Sequence, residues 1–233
     1  MCGVVGIVGK SDVAQDLYYA LTILQHRGQD AAGIVTCNEE HLFQRKANGL
    51  VRDVFKQRHM STLIGHMGVG HVRYPTAGTA SCAEAQPFYT NSPHGISLAH
   101  NGNLVNSPRI RRKLELEGAI FQTTSDTEVV LHLLARSPIP GLDQALQEVF
   151  RQIQGAYSML LQTPTTLYAI RDPYGVRPLC LGRLNGSYTV ASETCAFDLI
   201  DGEYIRDVVP GEILKIQDRQ LESFFLPPAP QKA

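Results

Sequence analysis

The feature that most limits how this chain can fold is the alternation of two hydrophobic periods along nearly its whole length. "GVVGIV" at Gly3 to Val8 and "AAGIVTC" at Ala31 to Cys37 are apolar runs of strand length. Between them, "DVAQDLYYALTILQHRG" sets Val13, Leu17, Ala20, Leu21 and Leu24 on one helical stripe and stops at Gly28. Further strands are predicted at Gly68 to Val72, Ile96 to His100, Tyr157 to Gln162, Leu167 to Arg171, Leu179 to Leu184, Tyr188 to Ser192 and Glu212 to Gln217. Helices are predicted over 106–117, 126–136 and 142–153. Asn185-Gly186 in "RLNGSY" suits a type I′ turn, which favours antiparallel pairing through hairpins. The helices must then cover sheet faces, giving a layered α+β domain over residues 1–225. The tail 226–233, "LPPAPQKA", changes character and reads as a proline-rich linker or truncated end.

With 233 residues, 43% of them hydrophobic, the chain can bury one large core. A formal net charge of -1 without basic or acidic blocks gives no reason to expect nucleic acid or a membrane surface as partner; a small molecule fits better. No apolar run reaches membrane-spanning length and the start does not read as a signal peptide, so the expected location is the cytoplasm. Cys2, Cys37, Cys82, Cys180 and Cys195 are odd in number and scattered, which argues for reduced thiols rather than a disulfide framework or a zinc site. No metal is expected in this chain.

Four stretches can carry chemistry. Cys2 is either a small packed residue or, once Met1 is removed, a nucleophile whose own α-amino group is its base. In "LAHNGNL", Asn101-Gly102 is a strong hairpin-turn signal; such a turn can also aim the Asn101 amide and the Gly102 N–H at one point, forming an oxyanion hole. In "GHVRYPTAG", Arg73 is either a solvated strand end or a bidentate grip for a substrate carboxylate, followed by a long loop of small residues with the composition of a lid. In "TTSDTEVV", Ser125 and Glu128 match a capping box, and Asp126 is either a helix-start charge or a partner for a substrate ammonium.

Taken together, "MCGVVGIVG", "HRGQDAAGI", "GHVRYPTAG", "LAHNGNL", "SDTE", "GAYSM" and "RDPYGVRPL" resemble, in order, the class II glutamine amidotransferases with an N-terminal cysteine nucleophile. Within that class, "HRGQDAAG", "HVRYPTAG" and "RDPYGVRPL" look like the glutaminase domain of the amidophosphoribosyltransferases. The sugar-phosphate relatives would carry a tryptophan and a different loop after the matching arginine, and this chain has no tryptophan.

The resemblance implies the four-layer αββα sandwich of N-terminal nucleophile hydrolases and hydrolysis of glutamine to glutamate and ammonia. It implies Cys2 as nucleophile, positioned by Arg27 and Gly28, with Asn101 and Gly102 as oxyanion hole. It implies Arg73 on the glutamine α-carboxylate, Asp126 on its α-ammonium, and His71, Tyr74 and Thr76 lining or closing the pocket. Ammonia would pass to a phosphoribosyltransferase domain, absent here, that uses magnesium and phosphoribosyl pyrophosphate in purine biosynthesis. The full-length relative would be a homo-oligomer. Left open are the glutaminase half of another class II amidotransferase and a stand-alone, non-catalytic glutamine-binding module.

Overall fold

A computed structural model describes residues 1–38, 41–74 and 81–226. Along the chain, β1 (Gly3–Val8) leads into α1 (Ala14–Ile23) and a 3-10 turn at Leu24–Arg27. β2 (Ala31–Cys37) and β3 (Leu42–Asn48) are followed by the single-turn helices α2 (Val51–Val54) and α3 (Gln57–Met60), then β4 (Met67–Arg73). Next come β5 (Phe88–Thr90), β6 (Ile96–Leu104), α4 (Ser107–Leu116), α5 (Asp126–Ala135) and α6 (Leu142–Gln152). The remainder is β7 (Gly155–Gln162), β8 (Thr166–Arg171), β9 (Cys180–Leu184), β10 (Ser187–Ala191), α7 (Cys195–Asp198), β11 (Glu203–Asp207), β12 (Glu212–Gln217) and β13 (Gln220–Phe225).

The strands form a 7-stranded sheet, β11-β9-β10-β1-β4-β2-β3, and a 6-stranded sheet, β13-β12-β8-β7-β6-β5. Every pairing is antiparallel. Side chains of β1 show how two sheets and two helical layers stack. Val5 and Ile7 join Leu17, Leu21 and Leu24 beneath α1, while Val4 and Val8 join Leu160, Leu167 and Leu214 between the sheets. A third apolar cluster packs α4, α5 and α6 on the far side of the six-stranded sheet. The architecture is therefore the four-layer αββα sandwich.

Between the sheets the fit is close. A Cβ at Gly6 would sit 3.0 Å from Leu167 Cδ2 and 3.2 Å from Leu160 Cδ1. Leu160 is wholly buried there, and truncating such a residue to Ala costs about 2–5 kcal/mol through lost transfer energy and the cavity left behind. β1, β2 and β4 are buried along their entire lengths, which explains why β1 and β2 read as continuous apolar runs rather than alternating ones. Asn185 and Gly186 take φ values of 50 and 76 and join β9 to β10, the hairpin expected of them.

Two expectations are overturned. Asn101-Gly102 is not a hairpin turn: β6 runs straight through it, with Asn101 opposite Ser158 and Gly102 opposite Tyr157 on β7. After Leu104 the chain enters α4, with Pro108 in its first turn, so no returning strand exists for such a hairpin. The Glu128 half of the capping box fails as well. Ser125 does cap α5, accepting from Thr127 N at 3.3 Å, but Glu128 turns to the preceding loop and accepts from Gln122 N at 2.7 Å and Thr123 N at 2.8 Å.

The folded body also reaches one residue further than expected: Leu226, placed at the head of the tail, is buried and donates to Gly211 O at 2.8 Å. Residues 227–233 lie outside the described residues. No helix among the described residues is long and apolar enough to cross a membrane.

Candidate active site

Cys2 precedes the central strand β1, whose Gly3 pairs with Val72 of β4. That register lays the thiol against the end of β4, where Tyr74 N donates to Sγ at 3.4 Å and Sγ lies 3.7 Å from Tyr74 O. Burial pushes the Cys2 thiol above its ordinary value; the Tyr74 N–H, the chain terminus and Arg73 pull it down without overcoming burial, and Asp126 adds to the rise. The fields of Arg73 and Asp126 thus both reach the sulfur, although the two residues lie far apart in sequence.

Arg27, 5% exposed, fastens the residue from its other side: Nε donates to Cys2 O at 2.8 Å and Nη1 forms a tight ion pair with Glu193. Glu193 also faces His26 Nε2 at 3.0 Å. Burial opposes ionisation of Glu193, but the hydrogen bonds and charges of Arg27 and His26 prevail and hold it below its usual range. Gly28 passes directly over Arg73, where a Cβ would come 2.5 Å from the Arg73 carbonyl carbon. This close approach, not a left-handed conformation, is what excludes a side chain. The described residues thus gather Cys2, Arg27, Gly28, Arg73 and Tyr74 at one end of the seven-stranded sheet.

Across the inter-sheet space, Asn101 is 1% exposed and its Nδ2 meets no acceptor among the described residues. A buried amide donor without a partner is costly, and an oxygen of water or of a ligand would satisfy it. A Cβ at neighbouring Gly102 would collide with Ala156 O and stand 2.7 Å from His100 Nε2. Asp126 opens α5, accepting from Leu104 N at 2.8 Å and facing His100 Nδ1 at 3.4 Å. Its burial raises the pKa, but the His100 charge and hydrogen bond, with those from Leu104 and Thr127, leave it below the usual carboxylate range. Its carboxylate is charged at neutral pH.

His71, which the resemblance places lining or closing the pocket, is 0% exposed, with Nε2–H donating to His100 O at 3.2 Å. It is a strut joining β4 to β6 beside Asn101, and burial lowers its pKa to about 3, so it stays neutral. Tyr74 contributes its backbone to the thiol while its side chain is exposed. Thr76, with Pro75 and the rest of 75–80, lies outside the described residues.

Several neighbours escaped the sequence. Asp30 receives Arg73 Nη1 at 2.5 Å. Ser158, opposite Asn101, donates to Arg177 O at 3.1 Å, and Arg177 Nη1 approaches Met1 Sδ at 2.9 Å. Glu193, Asp30 and Arg177 act through distant partners, so no local pattern marks them. Met1 itself is 54% exposed. Among the described residues no group of three or more His, Cys, Asp or Glu is placed to hold a metal ion.

The family described as a glutamine amidotransferase domain matches residues 71–198. The amidophosphoribosyltransferase of Pseudomonas aeruginosa is 49% identical over 233 residues, covering 94% of this chain and 46% of the relative. That of Escherichia coli is 48% identical over 235 residues, covering 94% and 46%. The solved glutamine phosphoribosylpyrophosphate amidotransferase of Bacillus subtilis, complexed with ADP and GMP, superposes with a TM-score of 0.91 at 42% identity, covering 96% of this chain and 49% of that one. The chain spans about half the length of the curated relatives it matches. Matched over more than half its residues, the chain belongs to the glutamine amidotransferase domain family.

Proposed function

We propose that this chain hydrolyses glutamine to glutamate and ammonia, with Cys2 as nucleophile once Met1 has been removed. The observation that carries the reading is the seat of the terminal thiol, with Tyr74 N donating to Cys2 Sγ at 3.4 Å and Arg27 Nε to Cys2 O at 2.8 Å, next to Arg73, whose cation suits the carboxylate of an amino acid. Removal of the exposed Met1 frees an α-amino group on the residue that bears the thiol. That amine takes the thiol proton, and the thiolate attacks the glutamine side-chain carbonyl. Asn101 Nδ2 and the Gly102 N–H receive the oxyanion. The ammonium formed in the first step then returns its proton to the departing ammonia. Water cleaves the thioester and releases glutamate. Arg27, bonded to Cys2 O, keeps the terminal residue from swinging away, and the hydrolysis calls for no cofactor.

The names of the relatives support a wider setting, in which the ammonia serves a phosphoribosyltransferase domain making phosphoribosylamine from phosphoribosyl pyrophosphate for purine biosynthesis. The longer protein would be a cytoplasmic homo-oligomer. Magnesium would serve the phosphoribosyl substrate of that domain. The test is glutamate release by protein whose N-terminus has been verified as Cys2, beside Cys2→Ala and a form that retains Met1. Turnover in the first alone is expected; equal release from Cys2→Ala sinks the reading.

A further inference from the structure

The two arms of the proposed amino-acid grip belong to different sheets. Arg73 ends β4 of the seven-stranded sheet, whereas Asp126 opens α5, which covers the six-stranded one. A substrate held by both its carboxylate and its ammonium needs their separation fixed to within a fraction of an ångström. Segment 81–87, which follows the loop after Arg73 and leads into β5, is bonded to both sheets.

On the first side it is gripped through its backbone. Lys46 Nζ of β3 donates to Ala85 O at 2.7 Å and Gln44 Nε2 donates to Pro87 O at 2.8 Å. Gly33 of β2 lies so close to Gln86 O that any Cβ there would collide with it. On the second side it reaches out with two buried side chains. Glu84 Oε1 accepts from both N and Oγ1 of Thr124 at 2.8 Å. Gln86 Oε1 accepts from His100 N at 2.7 Å, and its Nε2 donates to Thr127 Oγ1 at 3.2 Å. Thr127 Oγ1 in turn stands 3.1 Å from His100 Nδ1 and 3.5 Å from Asp126 Oδ1. Both side chains are thus bonded within the turn that presents Asp126 or to the histidine beside it.

We propose that Glu84 and Gln86 are positioning residues that set the span between Arg73 and Asp126, and thereby select an α-amino acid amide over amides that lack the ammonium group. The inference rests on the glutaminase reading above. Neither side chain touches the substrate; each acts through the N-terminal turn of α5. A satisfied buried polar network has one preferred geometry and resists displacement, which suits a spacer. A role confined to stability would lower the unfolding midpoint without altering discrimination between substrates.

The experiment uses Cys2-terminated protein and compares L-glutamine with glutaramate, which keeps the carboxylate and the amide but has no ammonium group. Gln86→Leu removes both bonds at similar bulk; Glu84→Gln retains one oxygen for Thr124. For Gln86→Leu the glutamine KM is expected to rise about tenfold, with kcat changed less than about threefold and glutaramate affinity unchanged. Preference for glutamine then shrinks about tenfold, and Glu84→Gln moves it the same way by less. Alkylation of Cys2 by iodoacetamide, which needs neither arm, stays at the wild-type rate. Unchanged preference in folded Gln86→Leu overturns the inference. If that variant does not fold, Glu84→Gln and Thr127→Val decide, and unchanged preference in both overturns it equally. A wild type that releases no glutamate overturns the glutaminase reading and this inference together, whereas an active wild type with indifferent variants overturns the inference alone.

Discussion

Arg73 and Asp30 hold each other twice: Asp30 N donates to Arg73 O at 3.1 Å, and Arg73 Nη1 donates to Asp30 Oδ2 at 2.5 Å. The backbone bond fixes where β4 ends, and the side-chain bond fixes which way the guanidinium faces. Arg73→Lys keeps the charge but loses the planar fork. The glutamine KM is expected to rise about tenfold or more, the cost of a charge-assisted bond, while iodoacetamide still alkylates Cys2. Steady-state kinetics beside an alkylation time course checks this, and an unchanged KM would remove Arg73 from substrate binding.

Asn101 can be tested without disturbing a turn, because it sits within a strand. Its Nδ2 has no acceptor among the described residues, so Asn101→Ala removes no described bond of that nitrogen. Glutaminase kcat should fall by about two to three orders of magnitude, as when one oxyanion donor is lost. The unfolding midpoint should move little. A near-normal kcat would leave the Gly102 N–H as the sole donor.

Gly102→Ala should fail for steric reasons. The new methyl would meet Ala156 O on β7 and stand 2.7 Å from Tyr157 Cα, backbone that cannot yield without shifting the ladder. The expected loss is about 1–3 kcal/mol, the usual cost of overpacking, together with glutaminase activity. Urea unfolding and glutamate release on the same sample test it, and wild-type values in both would show that β7 accommodates the methyl.

His71 predicts a pH dependence of stability. Its folded pKa is pushed down to about 3 by burial, whereas the unfolded chain titrates it near the ordinary value of about 6.5. Between those values the unfolded state carries the extra proton, so stability rises with pH and is lost as pH falls from about 6.5 towards 3. The slope attributable to this residue is at most about 1.4 kcal/mol per pH unit. Urea midpoints at about pH 5 and about pH 7 should differ more in wild type than in His71→Gln. Equal differences would show that His71 is charged in the folded chain.

Much of the fold could be read from residue pattern because the central strands declare themselves. β1 is apolar throughout, and β2 and β4 nearly so apart from Thr36, His71 and Arg73, since both faces are covered. Edge strands do not: "EYIRD" of β11 and "QLESFF" of β13 are largely exposed, carry charges, and match no strict alternation. β3 was missed on the same ground. In the site, Cys2, Arg73, Asn101 and Asp126 stand out by what their side chains can do. Glu193, 166 positions from Arg27, and Gln86, 41 positions from Thr127, acquire a role only through tertiary proximity. Asn101-Gly102 misled because turn propensity is local, while a ladder with β7 is not.

Cys2 heads a strand that has neighbours on both sides, and one of them, β10, is made late. Val5 pairs with Ala191, and Val4 N is bonded to Ser192 Oγ across 188 positions. On the ribosome the first residues to emerge must therefore wait for nearly the last strand-forming stretches of the domain before β1 can be enclosed, a long-range closure that is slow to form. Arg27 likewise has no Glu193 to brace it until then. A nascent or broken chain can display the thiol, yet it cannot seat it. If the chain hydrolyses glutamine as proposed, ammonia release waits until β10 has been made, and a fragment lacking β10 should consume no glutamine however intact its first hundred residues are.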